Sequence, residues 1–326
     1  MPNIITHILF ARDMKDKLDQ KYRVRIEENE QLFEVGSNGP DFTFFYGLTP
    51  TRIQDKVPLS KLGSQMHRHK VNDFYQMALT VIRKENNPSV KEDMIVYTWG
   101  HLCHWALDSC VHPYVLFRTG NCKGQSSWWH HRFESCLDAL VLKQKTGLTT
   151  KDFKAKDICD VSLEKARAIC RIYVPIAHHV FEMPEIKGHH IFESLQDWYF
   201  IQKCLYDPFG VKYDFVLPIE KTLNKVNLLS GLLVPNKPVD AYDITNLKHS
   251  SWTHPCDDTL VSCESFFDLY DKALDKAQKA IELFTEAIDV PESESQLLAF
   301  INDRSYNLNR NDQAPMLHFD RIQDHL

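Results

Sequence analysis

The chain is 326 residues long, with 43% hydrophobic and 25% charged residues, the balance of a soluble globular protein with ample core. Its 38 Lys and Arg against 44 Asp and Glu leave a formal charge of −6, which argues against nucleic acid as a main partner, because phosphate backbones want a basic face. Glycine is scarce, at 11 residues, which disfavours a barrel or sandwich full of tight turns and favours helices.

The nine cysteines contain no CxxC pair, a pattern that suits reduced thiols in a cytoplasmic protein better than a disulfide framework. The N-terminus lacks a basic region ahead of its apolar run, which Thr6 and His7 interrupt, so it is a poor signal peptide. No apolar run reaches the ~18 residues of a spanning helix. The expectation is one all-α domain over residues 1–326, a multi-helix bundle with a metal cluster between helices. The ligand motifs fall in 1–140, the helical remainder in 150–300 and a polar tail in 302–326.

Residues 4–24 read as an apolar start with Thr6 as N-cap, followed by a charged segment, and a short helix lies near 29–35. Gly36 to Phe42 (GSNGPDF) is a loop, with Asp41 at its exit as either a turn aspartate or a functional one. Apolar residues at helical spacing predict one helix from Leu59 to about Lys84 that carries His67 and His69. Asn86-Asn-Pro88 ends it.

Glu92 to Val111 is so densely apolar that it must be buried on most sides. Within it, Gly100 to Pro113 (GHLCHWALDSCVHP) holds His101, His104, Asp108 and His112. His104 and Asp108 sit one turn apart and face the same way. A buried His or Asp must be hydrogen-bonded, paired or bound to metal, since an isolated buried charge costs several kcal/mol. Pro113 disfavours helical geometry at the preceding residue, so the helix is expected to break at His112.

A loop at Cys122–Ser127 leads, with Ser126 or Ser127 as N-cap, into a helix running to about Thr146 and stopped by Gly147. His130, Glu134 and Asp138 form an i, i+4, i+8 stripe on it, which taken alone reads as ordinary helix-face pairing. Later helices are expected at Leu163–Met183 with a kink at Pro175, Ile191–Tyr206, Ile219–Leu232 and Glu264–Ile288. Pro235–Pro255 is the loosest stretch, and the doublets His178-His179 and His189-His190 lack a suitably spaced carboxylate and read as structural or surface residues.

Neutral imidazole with carboxylate suits Zn²⁺, and several zinc ions together can clamp a phosphodiester and activate water. Neither a P-loop, nor a Rossmann glycine fingerprint, nor a Gly-x-Ser-x-Gly elbow competes with that reading. An early Thr6-His7, the Gly39-Pro-Asp41 loop, Met66-His67, the Gly100–Pro113 stretch and the helix His130-His-Arg-Phe-Glu134 occur in the order that resembles the zinc-dependent phospholipase C family. That resemblance implies an all-helical fold, two or three zinc ions and a phospholipid or other phosphodiester as substrate. It implies that Asp41, His67, His104 and Asp108 hold one zinc, that His112, His130 and Glu134 hold a second, and that His7 with the other oxygen of Asp108 holds a third. Asp41 is then also the general base, or the group that orients the attacking water. His130 is favoured over His131 by its spacing to Glu134, and His101 is expected to support the ligands or to be an alternative one.

Two departures from the secreted members stand out: the chain opens Met-Pro-Asn in place of a tryptophan, and Asp108 and His112 lie closer together. No β-rich lipid-binding domain is evident, so the resemblance does not by itself imply binding to a lipid surface; without a spanning helix, any membrane contact is expected to be peripheral. A nuclease or phosphatase on the same metals, or a helical metal-binding protein without turnover, are the competing readings.

Overall fold

The computed structural model describes residues 4–49, 57–238 and 240–325. Its axis is a 32-residue helix, α6 (Pro88–Thr119), whose start is fixed by Pro88 in the first turn and by the Asn87 side chain, which accepts from Ser89 N and Val90 N. Residues on every face of α6 are buried, as its apolar density demands. Packed around it are α1 (Ile4–Lys17), α3 (Glu30–Gly36), α7 (Gln125–Thr146), α8 (Leu163–His179) and α11 (Phe266–Asp289). The outer elements are α2 (Gln20–Glu28), α4 (Leu59–Met66), α5 (Val71–Lys84), α9 (Gly188–Leu205), α10 (Val211–Thr222) and α12 (Glu294–Ile301). The hydrophobic core draws on residues from Ile4 to Ile322. Among the described residues the fold is thus all-α, apart from one antiparallel pair, β1 (Trp252–His254) and β2 (Asp257–Ser262).

Helices α3 and α6 approach closely because glycines meet at the crossing: a Cβ on Gly100 would lie 2.2 Å from Phe33 O and 2.9 Å from Gly36 Cα. This contact brings the turn after α3, residues 37–41, against the side of α6 that carries the histidines.

Several local expectations are corrected. The 59–84 segment is two helices, broken at residues 67–70, where Lys70 takes φ 60°, so His67 caps α4 and His69 lies in the turn. Helix α6 does not break at His112; it runs through Pro113 to Thr119. An internal proline costs about 3 kcal/mol. Burial of Val111, Tyr114 and Val115, at roughly 1.5–3 kcal/mol each, outweighs that cost. Helix α7 starts at Gln125, ahead of both serines proposed as its cap, and Ser126 Oγ instead donates to Thr119 O. Gly147 does end it, at φ 73°.

Thr6 is not an N-cap but lies inside α1. The leading amides of α1 are satisfied from another helix: Asp138 accepts from Ile5 N (3.0 Å), Thr6 N (2.9 Å) and Thr6 Oγ1 (2.6 Å). The expected 219–232 helix is instead α10, over 211–222, followed by a turn, and the loose 235–255 stretch ends in the hairpin. The tail is less peripheral than its polarity implies, since Ser305 and Tyr306 are buried.

Candidate metal centre

The stripe His104, Asp108, His112 runs for two turns along α6 at i, i+4, i+8, because the helix continues through Pro113. Helix α1 brings His7, the turn after α3 brings Asp41, the end of α4 brings His67, and α7 brings His130 and Glu134. Their donor atoms gather into three groups: His7, His104 and Asp108; Asp41, His67 and His104; and His112, His130 and Glu134. Within each group the atoms lie within 4.8 Å of one another. His104 Nε2 stands between the first two, 3.3 Å from Asp108 Oδ2 and 3.7 Å from Asp41 Oδ1. Asp108 joins all of them through His7 Nε2 at 3.3 Å and His112 Nδ1 at 3.5 Å.

Hydrogen bonds on the far side of the rings decide what the near side can do. His67 Nδ1 donates to Gly63 O (2.7 Å), His104 Nδ1 to Ser37 O (3.2 Å) and His112 Nδ1 to Tyr306 O (3.3 Å). Thr119 Oγ1 spends its proton on Val115 O, so at 2.9 Å it accepts from His130 Nδ1. A neutral imidazole whose Nδ1 carries the proton presents a bare lone pair at Nε2. All four Nε2 atoms therefore aim lone pairs at carboxylate oxygens or at one another: His67 at Asp41 (3.2 Å), His104 at His67 (3.4 Å) and Asp108, and His130 and His112 at Glu134 (2.9 and 3.7 Å).

Acceptors facing acceptors in a buried site repel unless a cation lies between them. Protons are a poor cation here, because burial pushes His104, His112 and His130 well below the usual imidazole range. Burial also works to raise Asp108, but His104 and His7 outweigh it and hold the carboxyl at about 2. Asp41 is raised, by burial first of all. Both oxygens of Asp108, both ring nitrogens of His7, Asp41 Oδ1 and His112 Nε2 are buried without a hydrogen-bond partner among the described residues. Such atoms are costly to leave unmet, and a nitrogen and carboxylate donor set fits zinc.

His101 and His131 stand apart from the three groups. His101 is stacked on Phe74, with ring centroids 4.3 Å apart, and shares its Nδ1 with Tyr75 OH at 3.1 Å. Burial lowers it to about 3. The His131 side chain is about half exposed, whereas His130 is buried against Glu134. The doublets serve the backbone: His178 Nε2 donates to Ile186 O (2.6 Å), and His190 Nδ1 accepts from Lys187 N (3.1 Å).

Two groups at the site lay beyond sequence reasoning. Tyr306 is fully buried against His67 and His104 and hands its carbonyl to His112, and its own amide donates to His67 O (3.0 Å). Gly39, at φ +51°, lets the turn lie on His104, whose Cδ2 would be 2.2 Å from a Cβ there. Only Gly39 carried a signal, as the glycine before Pro40.

The cluster forms the floor of a cleft of about 760 Å³. Asp41, His67, His112, His130 and Glu134 face it from below, and Phe44, Leu48, Trp198, Ile201, Leu205 and Leu232 are among its walls.

Fold and site together define an all-helical protein built around a buried histidine–carboxylate cluster whose three donor groups could each hold a metal ion. A sequence profile of the zinc-dependent phospholipase C family matches residues 6–180, which span α1 to the end of α8 and contain every candidate ligand. The chain belongs to that family. Neither a curated protein nor a solved structure matches it.

Proposed function

We propose that the protein hydrolyses phosphodiesters in the manner of a phospholipase C, with two or three zinc ions held by His7, Asp41, His67, His104, Asp108, His112, His130 and Glu134. The observation that carries this reading is the set of imidazole Nε2 lone pairs and carboxylate oxygens that converge, among the described residues, at the floor of a cleft with largely apolar walls. Zinc bound there neutralises phosphate charge and lowers the pKa of water toward neutrality.

The chain's own groups supply the rest. Asp41 lies on the cleft floor, with Oδ1 held near His67, where it accepts the proton of an attacking water or orients it. Asp108, fully buried and ionised, stands with one oxygen 3.3 Å from His7 Nε2 and the other 3.3 Å from His104 Nε2, so it would help hold metal beside both imidazoles. Thr119, Ser37, Gly63 and Tyr306 fix four imidazoles in the tautomer that leaves Nε2 available, as outer partners of metal-binding histidines do. His104 completes either the Asp41–His67 group or the His7–Asp108 group through its single Nε2. The apolar walls support an acyl-bearing substrate, excluding water from its chains while the head group meets the floor.

The test is a parallel assay on phosphatidylcholine vesicles, a water-soluble phosphodiester and single-stranded DNA, before and after chelation, with Asp41→Asn beside the wild type. Hydrolysis of the first two, lost on chelation, restored by zinc and absent in Asp41→Asn, is the expected result. Preference for DNA would move the reading to a nuclease. A zinc-loaded protein that cleaves none of the three would leave a metal-binding protein without turnover.

A further inference from the structure

Helix α10 shows the wrong face to solvent for an ordinary surface helix. Val211, Phe215, Ile219 and Leu223 follow one another at i, i+4, i+8 and i+12 and are 67%, 71%, 47% and 60% exposed. Its inward side is tied down by polar contacts. Glu220 is buried and accepts from Asn227 N and Ser230 N at 3.1 Å each, and Tyr213 packs under the Arg132 guanidinium, 4.5 Å from its ring. The outward apolar stripe is therefore a fixed feature of a held helix. Phe209 and Leu229, 67% and 56% exposed, extend it at either end.

The charges around the stripe differ from those of the chain. Between residues 203 and 225 the exposed charged side chains are Lys203, Lys212, Lys221 and Lys225 against Asp214 alone, in a protein whose formal charge is −6. Asp207 and Glu220 are buried, each bonded to backbone amides. An apolar helical face with a local lysine excess is the composition of a helix that lies in a bilayer interface, with its apolar side among the acyl chains. Lys212 is tied to Cys204 O and Tyr206 O, which leaves Lys221 and Lys225, at the end of α10, to meet the phosphates. An anionic lipid surface meets both the apolar stripe and the lysine excess.

The stripe also sits beside the cleft. Helix α9, which leads into α10, ends in the lining residues Ile201, Gln202 and Leu205, and Leu232 lies just past the turn that Glu220 ties to α10. We propose that α10, with Phe209 and Leu229, is an interfacial docking surface for an anionic bilayer. Resting on the phospholipase reading, it places the mouth of the cleft at the lipid surface, so that the substrate need not leave its membrane to reach the cluster.

Flotation of the zinc-loaded full chain with vesicles of phosphatidylcholine, alone and with added phosphatidylserine, tests this. Phe215→Ser with Ile219→Ser is expected to weaken binding to both compositions on the order of tenfold to a hundredfold. Lys221→Glu with Lys225→Glu is expected to weaken binding to the anionic vesicles by roughly fivefold per lysine, and high salt to erase that difference. Neither pair lines the cleft, so hydrolysis of a water-soluble phosphodiester and the unfolding temperature stay at wild-type values. Wild type that fails to float, or variants that float as well as wild type, overturn the proposal. So does an apolar pair that changes only the mass in solution, since a second copy of the chain would then cover the face. Vesicle binding through α10 without hydrolysis of any phosphodiester upholds the surface and refutes the hydrolase reading. Hydrolysis of the soluble substrate with unchanged flotation in both variants does the reverse.

Discussion

Thr119→Val separates the need of a metal from the need of the fold. The substitution is nearly isosteric, stays within α6 and removes the oxygen that accepts from His130 Nδ1 at 2.9 Å. In metal-free protein the imidazole has an escape: it changes tautomer, and Nε2–H then donates to Glu134 Oε1, 2.9 Å away. That exchange replaces one hydrogen bond with another, so metal-free stability should fall by less than about 1 kcal/mol. Binding a metal through Nε2 forbids the escape and leaves Nδ1–H buried without its acceptor, a loss of about 1–3 kcal/mol. Zinc should therefore bind roughly tenfold to a hundredfold more weakly at the His112–His130–Glu134 group. A competitive titration against a zinc chelator measures the affinity, and thermal unfolding with chelator present measures the metal-free fold. Unchanged zinc affinity, or a metal-free protein destabilised as much as the loaded one, would refute the tautomer argument.

Gly39→Ala should expel the His104 ring, because its Cβ would stand 2.2 Å from Cδ2 at a φ of +51°; a loss of about 1–3 kcal/mol in unfolding and a lower zinc content are expected. Asp138→Ala removes the carboxylate that holds three donors of α1 and leaves them buried, so thermal unfolding should register a loss on the order of 2–4 kcal/mol, with His7 the ligand displaced. His101, His104, His112 and His130, all lowered by burial from an ordinary value of 6.5, contribute to the pH response of metal-free protein, against the smaller opposing contribution of Asp138, which burial raises to about 6. Below pH 6.5 the unfolded chain binds protons that the folded one refuses, so stability falls as pH falls, by up to roughly 1.4 kcal/mol per pH unit for each such group, until the folded value is reached. A chelator-treated protein equally stable at pH 7 and pH 5 would contradict this.

Most of the cluster was legible because the residues the structure brings together obey helix arithmetic. His104 with Asp108, and His130 with Glu134, are pairs that local geometry alone places on one face, and the ordered motifs added His7, Asp41 and His67. One local rule misled where tertiary packing was stronger. Pro113 was expected to break α6, yet the buried residues on both sides of it hold the helix together, and that continuity puts His112 on the same stripe as Asp108. The i+8 spacing of Asp138 on α7 held, but spacing could not show that its carboxylate serves the start of α1, where it orders the backbone beside His7. Tyr306 was illegible for a different reason. It reaches His112 from 194 residues away, a contact that no periodicity or spacing records. The outward face of α10 was hidden by the same logic, since the usual rule sends an apolar stripe inward.

The central claim is that acceptor atoms crowd the cluster because zinc ions belong between them. Elemental analysis of protein purified without chelator tests it most directly. Two or three zinc ions per folded chain, reduced in Asp108→Asn, is the result expected from the three donor groups that meet around that carboxylate. A folded protein that carries no zinc and binds none when it is supplied would contradict the account.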